Sequence, residues 1–134
     1  MISYHRPKGA LSQGPYTPAV EVVANGVKTL YVSGQGTYDP ALKEKYLGKD
    51  IKRQATLSLA NLVTILSGCG YSVTDLVKVT IFAISPDHLS DINEAYEEVF
   101  TDGNALPARS AVIVAGLPGG MAVEIEAVAV KVEG

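Results

Sequence analysis

A chain of 134 residues fits one domain, taken here as residues 1–134, and 47% hydrophobic against 19% charged residues is enough to build a core. Eleven basic and fourteen acidic side chains leave a net charge of −3, which argues against a nucleic-acid groove or an anionic membrane as the main partner. One cysteine excludes an internal disulfide, and Cys69, His5 and His88 are too scattered for a structural zinc site.

The N-terminal residues 1–7 carry no apolar region suited to a signal peptide. No apolar stretch approaches the ~18 residues of a spanning helix. A soluble cytoplasmic protein with no membrane partner is therefore expected. Pro7, Pro15 and Pro18 make the first eighteen residues read as an extended arm. Ala19 to Ala24 and Lys28 to Ser33 read as strands. Asn25-Gly26 joins them as a hairpin, because both residues tolerate positive φ. Residues 34–49, with Gly34, Gly36, Pro40 and Gly48, read as a long loop holding at most a short strand near Thr37-Tyr38.

Asp50 is placed to cap a helix in which Ile51, Ala55, Leu59, Leu62, Val63 and Leu66 form one stripe, ending at Gly68 and Gly70. Leu76 to Ile84, rich in β-branched residues, reads as a central strand covered on both faces. Ser85-Pro86 starts a second amphipathic helix carrying Leu89, Ile92, Tyr96, Val99 and Phe100, which stops near Gly103-Asn104. Arg109 to Ala115 and Ala122 to Val132 read as two strands joined through residues 116–120. The order points to an α+β layer, a mixed sheet with two helices on one face. Two helices cannot cover both sides of such a sheet. Val128, Val130 and part of the Val77–Ile81 strand are thus expected to need another chain, which predicts a homo-oligomer.

Familiar catalytic signatures are missing. Gly34-Gln35-Gly36 and Gly68-Cys69-Gly70 do not extend into a dinucleotide or phosphate-binding loop, and no nucleophile elbow is present. Cys69 has no basic neighbour in sequence and reads as structural. The informative residues lie near the C-terminus. Strand alternation puts Arg109 on one face with Ala111, Ile113 and Ala115. A guanidinium there needs a partner, either an internal carboxylate or that of a ligand. Glu124 and Glu126 share a strand face roughly 6.5–7 Å apart. They read either as a solvated face, with one Glu paired to Arg109 or Lys131, or as the seat of a general base. A tight hairpin near Pro118 would leave Arg109 and Glu124 several residues apart, serving one ligand only with shifted pairing or two subunits. Tyr16 reads as a packing anchor on the arm, and Asn93 as a half-exposed helix polar residue.

Pro107-Ala108-Arg109-Ser110, with Glu124-Ile125-Glu126-Ala127 fourteen residues on, resembles the C-terminal motif of the Rid (YjgF, L-PSP) family. Gly14-Pro15-Tyr16, Ser33-Gly34-Gln35 and Asn93-x-x-Tyr96 match in order and spacing. The resemblance implies a chorismate-mutase-like fold, a homotrimer with clefts between subunits, and hydrolysis of reactive 2-imino and enamino acids to 2-keto acids and ammonia. It implies that Arg109 binds the substrate carboxylate and Glu124 positions or activates water. Tyr16, Ser33 and Gly34 would line the pocket, with Asn93 at its edge, and neither metal nor organic cofactor would be needed. Where many deaminating members carry Cys after Arg-Ser, this chain has Ala111, which keeps only a backbone contribution. The Asp39–Tyr46 loop also departs from the common pattern. Two alternatives stay open: a non-catalytic carboxylate-binding or regulatory protein, and a deaminase for another enamine such as 2-aminomuconate.

Overall fold

Alternation and turn chemistry build the first half of the sheet. A computed structural model describes residues 1–11 and 14–133. Its strands β1 (Ile2–His5), β2 (Ala19–Ala24) and β3 (Val27–Gln35) run antiparallel in sequence order. Asn25 (φ 53°) and Gly26 (φ 76°) both sit in the left-handed region, as a tight hairpin requires. The expected arm is thus partly a strand. Ile2 to His5 pair with Val22 to Ala19, a run too short for its pattern to stand out in sequence. The arm's residues 12 and 13 lie outside the described residues, as does residue 134.

The expected long loop contains a small hairpin, β4 (Tyr38–Asp39) with β5 (Glu44–Lys45). Helix α1 (Ile51–Gly68) follows, its N-terminus closed by Asp50 Oδ1, which accepts the Arg53 N–H at 3.1 Å. Such a cap contributes about 1 kcal/mol. Ala55, Leu59, Leu62 and Leu66 are buried as their spacing predicts, but Val63 is exposed and Ile65 takes its place. The buried arc turns instead toward Gln54 and Ser58, whose polar groups are satisfied. Gln54 Nε2 donates to Gly48 O, its Oε1 accepts the Ala122 N–H, and Ser58 Oγ donates to Gln54 O.

Strand β6 (Leu76–Ala83) leads through a Ser85-capped turn into α2 (Leu89–Val99), which stops at Phe100. Strand β7 (Ala108–Ile113) and β8 (Val123–Val132) complete a sheet ordered β1-β2-β3-β8-β6-β7. Both helices lie on one face, over Leu30, Val79, Ile81, Ile125 and Ala129, each fully buried. This is the α+β architecture expected.

Three expectations about the sheet need correction. The last two strands form no hairpin. β7 runs parallel to β6, and β6 separates it from β8. A strand–helix–strand unit of this length makes a crossover, which returns the chain parallel to its first strand. β6 is also covered by helices on one face only, so Lys78, Thr80 and Phe82 on its other face are half-buried and Val77 is exposed. Finally, Val79 and Ile81 belong to the core of the chain itself. The open face carries Tyr4, Val20, Tyr31, Phe82, Val112 and Val128, with Tyr31 52% exposed.

Candidate functional site

The pairing of β3 with β8 contains an irregularity beside Glu124. Val32 pairs with Ala127 and Gln35 with Ile125, so β3 spends one residue more than β8 over this stretch. Such a bulge breaks alternation and re-aims the chain. Leu30, Val32 and Gln35 all stay on the core side, while the extra residue brings Gly34 against Glu124. A Cβ at Gly34 would lie 2.8 Å from Glu124 Cδ, so only glycine leaves the carboxylate where it is. Ser33 Oγ donates to Thr17 O at 2.6 Å, and Gln35 Nε2 donates to Ser33 O at 2.9 Å, which fixes the bulge on both sides.

Above it opens a cavity of about 570 Å³ lined by Tyr16, Ser33, Gly34 and Glu124. Four of the seven residues singled out from sequence therefore meet here. The rest of the wall was not anticipated, and it includes Gln35, Gly36, Thr37, Tyr38, Lys45, Asn61 and Met121. Asn61 Nδ2, from α1, donates to Gly36 O and to Tyr38 O, both at 3.0 Å, and ties the loop to the helix. The Thr37 N–H donates to Met121 Sδ at 3.4 Å, whereas Thr37 Oγ1 is buried without a hydrogen-bond partner among the described residues. A loop rich in glycine and polar residues gave no periodic signal for these contacts.

Burial raises the Glu124 carboxyl above its ordinary value, the neighbouring Glu126 charge adds to the rise, and Lys45 opposes it. Neither glutamate pairs with Arg109 or Lys131. Lys131 Nζ donates to Gly70 O instead, over the Tyr71 ring.

Arg109, Ala111 and Asn93 lie elsewhere. Arg109 pairs in register with Val79 and so projects on the helix side, its guanidinium 4.7 Å from the centre of the Tyr96 ring. Asn93 stands one helical turn before Tyr96 on α2. Arg109 is exposed and makes no ion pair among the described residues, so the internal-carboxylate reading of its partner has no support there. Tyr96, stacked on Phe100, has a buried hydroxyl without a hydrogen-bond partner among the described residues, and burial raises its phenol while Arg109 opposes the rise.

Within one chain Arg109 and Glu124 face opposite sides of the sheet. β6 lies between them, placing their backbones about 10 Å apart sideways and, three positions apart along β6, about 10 Å lengthwise. The described residues hold no cluster of three or more His, Cys, Asp or Glu placed to bind a metal. None of their helices is long and apolar enough to cross a membrane.

A mixed sheet with two helices on one face, and a carboxylate-bearing cavity at a bulge, define an α+β protein. The Endoribonuclease L-PSP family model matches residues 7–131, and the chain belongs to this family, also known as Rid or YjgF. It is 39% identical over 119 residues to the 2-iminobutanoate/2-iminopropanoate deaminase of Salmonella typhimurium, covering 88% of each. The solved structure of E. coli TdcF with bound serine superposes with a TM-score of 0.80 at 35% identity, over 96% of this chain and 97% of that one. RidA from an Antarctic Psychrobacter superposes with a TM-score of 0.79 at 32% identity, over 94% and 96%.

Proposed function

We propose that residues 1–134 form one Rid-type domain that hydrolyses small reactive 2-imino and enamino acids to 2-keto acids and ammonia. The reaction would run in clefts between the copies of a cytoplasmic homotrimer. The observation that carries this reading is the split site. Glu124, raised by burial, stands in the cavity, while Arg109 stands on the β7 edge against the Tyr96 ring with no ion pair among the described residues. A second copy bringing its β7 edge to the cavity of the first would complete the pair. The apolar open face and the unpaired edge of β7 supply surface for that contact.

Arg109 takes the substrate carboxylate in its planar fork. Ionised Glu124 accepts a proton from water as the oxygen adds to the C=N carbon, and the electron pair of that bond moves to nitrogen. Glu124 then returns its proton to the nitrogen. As the C–N bond breaks and ammonia leaves, the hydroxyl O–H proton passes to Glu124, its electron pair closes the carbonyl, and the departing ammonia carries that proton away as ammonium. An iminium carbon is already electrophilic, so positioning and one base suffice. Enamine substrates first take a proton at the β-carbon to become imines. Tyr16, Ser33 and Gly34 shape the pocket, with Asn93 at the rim, and Ala111 contributes only through its backbone.

The test is turnover of 2-iminobutanoate, made in place by an amino-acid oxidase and followed by loss of trappable imine. Accelerated hydrolysis that disappears in Arg109→Ala, with the oligomer intact, is expected. Wild-type activity no better than buffer across several imino acids overturns the reading. The bound serine in the TdcF relative favours one rival, a carboxylate-binding protein without turnover. In that case 2-oxobutanoate would bind, Arg109→Ala would abolish binding, and Glu124→Gln would change little.

A further inference from the structure

We infer that the Glu124 cavity selects a 2-imino acid carrying a second anionic group, a dicarboxylate of four or five carbons, and that Lys45 recognises that group. The inference rests on the deaminase reading above and adds the class of substrate. Lys45 lines the same cavity as Glu124 and lies close enough to oppose the rise of its carboxyl, yet its ammonium makes no ion pair or hydrogen bond among the described residues. A surface lysine ordinarily runs its stem along the protein and keeps its ammonium in bulk water. Here the half-buried side chain brings Nζ against the Pro118–Gly120 turn, where a Cβ on Gly119 would come within 2.7 Å of it. The missing side chain at Gly119 makes room for the ammonium.

The backbone under Lys45 is held from several directions. Its β-bridge partner is Tyr38, the adjacent Tyr46 N–H donates to Thr37 O at 2.9 Å, and Arg53 Nη2 donates to Asp39 Oδ2 at 2.8 Å. The ammonium is therefore presented from a fixed hairpin rather than from a loose loop.

Size agrees with charge. A benzene-sized molecule needs roughly 150 Å³, and this cavity is about 570 Å³, which leaves room beyond a four-carbon monoacid. With the first carboxylate on Arg109 and the imine carbon at Glu124, the far end of the substrate remains for Lys45. A carboxylate there makes a charge-assisted hydrogen bond, whereas a methyl group leaves the ammonium unpaired. The resulting preference is about 10- to 100-fold.

The experiment compares kcat/KM for imines generated in place from aspartate, glutamate and 2-aminobutyrate. It runs alongside calorimetric binding of 2-oxoglutarate and 2-oxobutanoate, in wild type, Lys45→Met and Lys45→Arg. The wild type is expected to favour the dicarboxylates by about 10-fold or more, Lys45→Arg to keep that preference, and Lys45→Met to lose it in both turnover and binding. Equal efficiency on the three imines overturns the inference while leaving the deaminase reading intact. So does a Lys45→Met variant that shifts only the pH profile, with selectivity unchanged. If no imine is hydrolysed the deaminase reading fails, and the binding arm alone decides. Tighter 2-oxoglutarate binding that depends on Lys45 supports a dicarboxylate site, and indifferent binding removes it.

Discussion

The Glu124 region and the Arg109 region are held in different ways. Glu124 sits on β8, flanked by β3 and β6, against a bulge tied down by Ser33 and Gln35 and a loop tied down by Asn61. Arg109 sits on an edge strand whose six residues are all exposed, steadied by pairing to β6 alone and by the face of Tyr96. One half is finished inside the chain. The other ends at a surface, and an unpaired, partly apolar strand edge is normally covered or blunted. The carboxylate is preorganised by folding, whereas the guanidinium would gain its complement only by assembly.

Mixing variants breaks this comparison most severely. Arg109→Ala and Glu124→Gln are each expected to lose at least about 100-fold in kcat/KM, the scale of a lost positioning or acid–base group. If the halves come from different copies, co-refolding the two inactive proteins in equal amounts regenerates about one quarter of wild-type activity, because random assembly pairs intact halves at one site in four. No recovery would mean that one chain supplies both groups. Gly34→Ala is next. The new Cβ pushes the Glu124 carboxylate aside without altering charge, and a loss of about 10- to 100-fold in kcat is expected with the melting profile nearly unchanged.

The third prediction concerns pH. Glu124 must be ionised to accept a proton, and its folded pKa lies above the ordinary 4.5. Activity therefore falls away with acidification at a higher pH than for a free glutamate. Glu126→Gln removes the like charge and moves that acidic limb to lower pH, a shift read from the kcat/KM profile. Loss of activity without movement of the limb would show that Glu126 acts otherwise. The smallest effect is expected at Thr37. Thr37→Val deletes a buried hydroxyl that has no partner among the described residues and should leave stability to urea unchanged or raised by about 1 kcal/mol. A clear destabilisation would reveal a hydrogen bond that Thr37 makes.

What could be read from sequence follows from where the information is local. Asn25-Gly26, Asp50 and Ser85-Pro86 act within a few residues of themselves, and each stands where its turn or cap chemistry puts it. The order of strands is not local. β7 and β8 are neighbours in the chain, but the crossover through α2 lays β7 on the far side of β6. The β6–α2–β7 sequence carried that signal, and the hairpin reading overlooked it. The site divides along the same line. The family motifs marked Tyr16, Ser33, Gly34 and Glu124, which the fold brings together. Lys45, Asn61 and Met121 enter the wall through a short hairpin, a helix and a strand entrance whose meeting no spacing rule encodes.

The bulge in β3 bears on how such a pocket can change over generations. Beside the Glu124 carboxylate the floor is glycine-rich, a side chain at Gly34 would displace Glu124, and Gly36 is crowded by Met121. Substitution there has little to vary without dislodging Glu124. Diversity must come from the rim instead, from Tyr38 and Lys45 on the small hairpin and Tyr16 on the arm. The bulge thus separates a floor that tolerates little substitution from walls whose side chains can be exchanged, one residue at a time, without moving Glu124.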